Sequence, residues 1–165
     1  MTFADLVRGE SVFVDANTFV YHFEPHAVFG PPCTDLLKRI ELQELTGYTS
    51  TQVLNEVGHR LMTMEASVLF TWPSKIVQRL KQNPASVQQL TKFRSALQKI
   101  PLLDIQILTI PPTLLDPAAA ISQQTGLLSN DAMIMAVMQA NGLTKLASSD
   151  ADFDRLPGLT RYAPA

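Results

Sequence analysis

A three-layer α/β fold, with helices flanking a central, mainly parallel sheet of four to five strands, is expected from two features of this 165-residue chain. Short apolar or β-branched runs alternate with longer segments of helical periodicity, the order that right-handed parallel crossovers produce. Acidic residues stand just after several of those runs, and in an open parallel sheet ligands bind at the carboxyl ends of the strands. Residues 1–165 have the length of one ordinary domain, and 46% hydrophobic residues are enough for a proper core.

The elements follow in order. Val12, Phe13 and Val14 form an apolar run ending in Asp15-Ala16-Asn17, which suits a buried parallel strand feeding a loop. Residues 18–23 could start a helix, but Pro25, Gly30, Pro31 and Pro32 are expected to break the path into a loop. Over 34–44, Leu36, Leu37 and Ile40 share one side, and Lys38, Arg39 and Glu41 lie elsewhere, an amphipathic helix. Residues 47–51 read as a second strand, after which Ser50 or Thr51 can cap a helix whose buried stripe is Val53, Leu54, Val57 and Leu61. Glu56 lies off the centre of that stripe, placed to reach across the top of the sheet. A longer helical segment spans about 66–103: Pro73-Ser74 opens one helix, Asn83-Pro84 breaks it, and residues 84–100 make another with Asn83 as cap. Residues 105–110 alternate as a third strand stopped by Pro111-Pro112. Helices closed by Gly126 and Gly142 are expected over 113–125 and 130–141. Residues 146–148 make a fourth strand and 160–162 a short fifth.

A net charge of −2 gives no global electrostatic case for nucleic-acid binding. The charge is uneven, however. Residues 66–103 contain no Asp or Glu but carry Lys75, Arg79, Lys81, Lys92, Arg94 and Lys99. A solvated pair of helices is the plain account of such a run. The single Cys33 cannot form an internal disulfide and has no partners at zinc-ligand spacing, which fits a reduced compartment. The first residues lack the pattern of a signal peptide, and no apolar run approaches the ~20 residues that span a bilayer. A cytoplasmic protein without membrane contact is expected.

Asp15, Glu56, Asp131 and Asp150 are the acids placed to converge. Clustered carboxylates repel one another unless a cation sits among them, and hard ions such as Mg²⁺ and Mn²⁺ prefer oxygen ligands. Each acid has a structural account too: Asp15 and Asp150 as turn residues, Asp131 as the anion at a helix N-terminus, Glu56 as a solvated surface group. Their order adds weight. Val14-Asp15-Ala16-Asn17, Ser50-Thr51 with Glu56, Asn130-Asp131-Ala132 and Ser148-Ser149-Asp150-Ala151-Asp152-Phe153 resemble the successive motifs of PIN-domain nucleases, closest to the VapC family of toxin–antitoxin ribonucleases. The resemblance runs from about 12 to 162, and departs from the family mainly in the greater length of 65–103.

That resemblance implies a metal-dependent endoribonuclease, the toxin of a toxin–antitoxin pair, cleaving RNA phosphodiesters by metal-activated water. Asp15, Asp131 and Asp150 would hold Mg²⁺ or Mn²⁺, Asp152 would be a further metal-site acid and Glu56 would complete the charge, whereas Asp154 is read as solvated. Asn17 and Ser148 would orient the carboxylates, although Asn17 also suits a helix cap. An RNA substrate, a cognate antitoxin and a homodimer are the implied partners. Arg79, Lys81, Lys92 and Arg94 are candidates for the RNA backbone, with a protein interface as the competing reading. Two rivals remain open: a haloacid-dehalogenase-type phosphatase with Asp15 as nucleophile, which wants an Asp where Asn17 stands, and a non-catalytic PIN-like RNA-binding subunit. His22, His26 and His59 share no ligand spacing, and Met133, Met135 and Met138 suit core or dimer packing.

Overall fold

Val12, Phe13 and Val14 have no exposed surface, which is what a strand in the middle of a covered parallel sheet requires. The computed structural model describes residues 1–165. Its strands are Ser11–Val14 (β1), Thr46–Ser50 (β2), Gln106–Leu108 (β3), Lys145–Ala147 (β4) and Thr160–Tyr162 (β5). They form one sheet in the order β3-β2-β1-β4-β5, with every pair parallel. The chain steps outward from β1 to β2 and β3, then returns to the other side of β1 for β4 and β5. The direction of winding therefore reverses between β1 and β4, and the reversal opens a crevice at their carboxyl ends.

Two helices differ from the sequence expectation. Ala16–Phe23 (α1) begins straight after β1, because the Asp15 side chain caps it by accepting the Ala16 N–H. Gly30, Pro31 and Pro32 are not loop residues but the first turn of Gly30–Glu41 (α2). Proline is tolerated there because the N–H it lacks would have no partner inside the helix. Cys33, Leu36, Leu37 and Ile40 form the buried face of α2. Gly47 lets that face settle on β2, since a Cβ at 47 would lie 2.6 Å from Ile40 Cγ2.

Thr51–Leu69 (α3) starts from Ser50, whose hydroxyl accepts the Val53 N–H at 3.3 Å, and buries Val53, Val57 and Leu61 as expected, whereas Leu54 is only half-buried. The basic segment contains Ile76–Gln82 (α4), Pro84–Val87 (α5) and Lys92–Lys99 (α6), followed by a 3-10 turn at Ile100–Leu103. The single helix expected over 84–100 is thus broken between α5 and α6, and Asn83 makes no side-chain cap. The break has a distant cause. The buried carboxylate of Glu65 on α3 accepts the N–H groups of Thr91, at 3.0 Å, and Lys92, at 2.9 Å, and so caps α6 from another helix. Ala66, Leu80 and Leu90 form a small second core beside it.

Leu115–Thr125 (α7) ends at Gly126 with φ +74°, and Ser129–Ala140 (α8) packs against it. Every residue from Ala132 to Met138 is buried, so Met133, Met135 and Met138 belong to the main core. No helix is long and apolar enough to cross a membrane.

Candidate active site

Asp15 stands where β1 becomes α1 and is 5% exposed. Its Oδ1 accepts the Ala16 N–H at 2.6 Å, and its Oδ2 accepts the Ser148 hydroxyl at 2.7 Å and the Asn17 amide at 3.3 Å. Ser148 follows β4 and also accepts the Asp150 N–H through its hydroxyl oxygen at 3.0 Å. Asp150 in turn accepts the Asp152 N–H at 2.8 Å. One hydroxyl therefore ties together the two strand ends that flank the crevice.

Glu56 enters from the second turn of α3 and Asp131 from the first turn of α8. With Leu128, Ser129 and Asn130 they line an open depression of about 340 Å³. Gln52 holds the two helix starts together, its amide donating to the Asn130 carbonyl at 3.3 Å and to the Asn130 side-chain oxygen at 3.2 Å. One turn beyond Glu56, Arg60 places its guanidinium 3.9 Å from the Glu56 carboxylate and donates to Asn17 Oδ1.

The acids share one electrostatic field. Burial raises the Asp15 acid above its ordinary value, opposed by the Ser148 and Ala16 hydrogen bonds, the Arg60 charge and the Asn17 amide. Burial raises Glu56 as well, and the Asp15 charge adds to it. Asp131 is pushed up to about 6, first by burial and then by repulsion from Asp150, Asp15, Glu56 and Asp152. Four separate segments thus supply mutually repelling carboxylates to one place. No three Asp, Glu, His or Cys side chains are drawn into a ready coordination shell. Asp15 and Asp150 each engage a carboxylate oxygen with a backbone N–H group. Oxygen donors with excess negative charge fit a hard divalent cation.

The sequence model of the PIN domain matches residues 12–159. The chain belongs to the PIN domain family. Solved structures share the fold at low sequence identity. The VapBC2 complex of Rickettsia felis, bound to a DNA fragment from its promoter, is 19% identical with a TM-score of 0.55, covering 93% of this chain and 98% of that one. VapC20 of Mycobacterium tuberculosis, a Sarcin-Ricin loop cleaving toxin, is 19% identical with a TM-score of 0.56, covering 87% and 92%. A toxin-antitoxin complex from Klebsiella pneumoniae is 16% identical with a TM-score of 0.51, covering 90% and 95%. No curated protein matches the sequence significantly.

The remaining candidates of this PIN domain are placed unequally. Asp152 acts on Asp131 through its charge but is ion-paired to Arg155 and mostly exposed. Asp154 is not free in solvent, because Arg161 grips both of its oxygens at 2.7 Å. Among the basic residues, Arg79 lies over the Trp72 ring at 5.6 Å and Lys92 pairs with Glu24 at 2.7 Å, whereas Lys81 and Arg94 are exposed without an ion pair. His22 meets the Thr34 hydroxyl at 3.0 Å, and His26 accepts the Val28 and Phe29 N–H groups, so both have local structural partners. Gln52 and Arg60 belong to none of the acidic motifs of the sequence. The spacing of Arg60, four residues after Glu56, was the available signal, since such residues share a helix face.

Proposed function

We infer that this PIN domain, over the whole of residues 1–165, is a divalent-metal-dependent endoribonuclease and the toxin of a toxin–antitoxin pair acting in the cytoplasm. The observation that carries the reading is the placement of acids from four segments: Ser148 joins Asp15 to the Asp150 backbone at the ends of β1 and β4, and Glu56 and Asp131 line one depression. Family membership supports it, as do the RNA-loop-cleaving toxin and the toxin–antitoxin complexes among proteins of similar fold.

Asp15, Asp131 and Asp150 would hold Mg²⁺ or Mn²⁺, with Asp152 at the edge of the set. The cation, when bound, supplies Lewis acidity and offsets charge on a phosphodiester. The chain's own groups do the rest. Ser148 and Asn17 fix the Asp15 carboxylate by donating to Oδ2, and Ser148 fixes the backbone at Asp150. Glu56, whose acid is raised by burial and by Asp15, lines the open depression, where it can hold or release a proton. RNA and an antitoxin are the partners of this reading, and a homodimer its assembly.

The test is cleavage of purified RNA by the purified protein. Cleavage should need millimolar Mg²⁺ or Mn²⁺ and stop on chelation. The same ions should raise the melting temperature of the wild type, and raise that of Asp15→Asn/Asp150→Asn less. Cleavage that persists in chelator, or an equal rise in both proteins, would overturn the metal site.

A further inference from the structure

Arg60 brings a cationic side chain to the acids: its guanidinium lies 3.9 Å from the Glu56 carboxylate and donates to Asn17, itself a hydrogen-bond donor to Asp15. We propose that Arg60 is a positioning residue of the site: it fixes which way the Asn17 amide faces, and through that amide it holds the Asp15 carboxylate. The proposal rests on the nuclease reading for its kinetic consequences but not for its geometry.

An asparagine amide offers a carbonyl on one side and an NH₂ on the other, and only its partners decide which way it points. Arg60 carries N–H donors and no acceptor, so it can satisfy only the Asn17 carbonyl. The NH₂ is left facing Asp15 Oδ2 at 3.3 Å. The opposite orientation would set the Asn17 oxygen against a carboxylate and its NH₂ against a guanidinium, repulsive at both ends. Asp15 is nearly fully buried, and its Oδ2 has only the Ser148 hydroxyl as its other donor. A buried carboxylate is costly unless its oxygens are satisfied, so the loss of one donor is felt. Arg60 is itself held in place by its own helix. It stands one turn after Glu56, 3.9 Å from that carboxylate, with its side chain 34% exposed. Most of the side chain is thus covered, and the guanidinium bridges an acid on α3 and an amide on α1.

The role differs from a direct grip on the substrate phosphate, and experiment separates the two. Arg60→Met keeps the stem and removes the donors, Arg60→Lys keeps a charge and a donor, and Asn17→Ala removes the relay. Arg60→Met should lower kcat by ~10-fold or more with KM for RNA little changed, and weaken Mn²⁺ binding, measured by calorimetry, by a similar factor. Arg60→Lys should recover much of both losses. The Arg60→Met/Asn17→Ala double variant should be no worse than Asn17→Ala alone, because the two residues act in series. In ¹⁵N-labelled protein without metal, the Asn17 side-chain NH₂ signals should shift or broaden in Arg60→Met, with thermal unfolding confirming a folded protein. Additive losses in the double variant, a rise in KM alone, or unchanged Mn²⁺ affinity and Asn17 signals would each overturn the proposal. If the wild type cleaves no RNA, the nuclease reading fails, and Arg60 is then judged by the Mn²⁺ titration and the Asn17 signals.

Discussion

Burial and four neighbouring carboxylates push Asp131 up to about 6 from an ordinary 3.8. Between those values the folded chain holds more protons than the unfolded one. The stability contributed by this group is therefore present at low pH and is lost as pH rises from about 4 to about 6, with no further change above. In the absence of divalent ions, Asp131→Asn should gain melting temperature relative to the wild type across that window, and millimolar Mg²⁺ should shrink the gain. A difference that stays constant from about pH 4 to 7 would show that the acid is unperturbed. On cleavage the same substitution acts the other way. Asp15→Asn, Asp131→Asn and Asp150→Asn each remove a ligand charge at constant size and should slow RNA cleavage by at least ~100-fold, about 2.7 kcal/mol of barrier. Wild-type turnover in any one would remove that residue from the assignment.

Between elements, Glu65 is the most consequential contact in the basic segment. It joins α3 to the start of α6 across 26 residues by accepting two backbone N–H groups. Hydrogen bonds to a charged group contribute roughly 1.5–3 kcal/mol, and Glu65→Ala should cost about that much in urea unfolding. Amide exchange should speed up in α6 before the rest of the fold opens. Glu65→Gln, which keeps one acceptor, should lose less. Unchanged exchange in Glu65→Ala would mean that packing of Leu90 and Ala96, not the cap, starts α6. The break at 88–91 was illegible in the sequence for the same reason: its cause is an acceptor on a different helix. The Gly30-Pro31-Pro32 start of α2 is ambiguous in the sequence because the same residues end one path or begin a helix, and tertiary packing of Cys33 and Leu36 goes with the second.

At the scale of the whole molecule, an acidic protein that approaches RNA needs positive charge outside its carboxylate site. Lys81 and Arg94 are exposed and unpaired, whereas Lys92 is held by Glu24 and Arg79 lies on Trp72. Lys81→Ala/Arg94→Ala should therefore weaken RNA binding and flatten its log–log salt slope more than Arg79→Ala/Lys92→Ala does, by roughly 0.7 for each lost phosphate contact. Metal-induced stabilisation should be unchanged in both pairs. If neither pair alters RNA affinity but one breaks a complex with a partner protein, the segment is a protein interface.

The sequence by itself determined the parallel α/β class, the strand positions and the helices closed by Gly126 and Gly142, and it put forward the four acids as candidates. These depend on local signals: apolar runs, caps and side chains placed just after strands. The tertiary structure decided the strand order, with its reversal between β1 and β4, and so which acids face one another. It also decided that Ser148 links Asp15 to Asp150 and that Arg60 joins the site through Asn17. Those outcomes rest on partners as many as 133 residues apart, and neither spacing nor periodicity along one segment carries information about a partner on another.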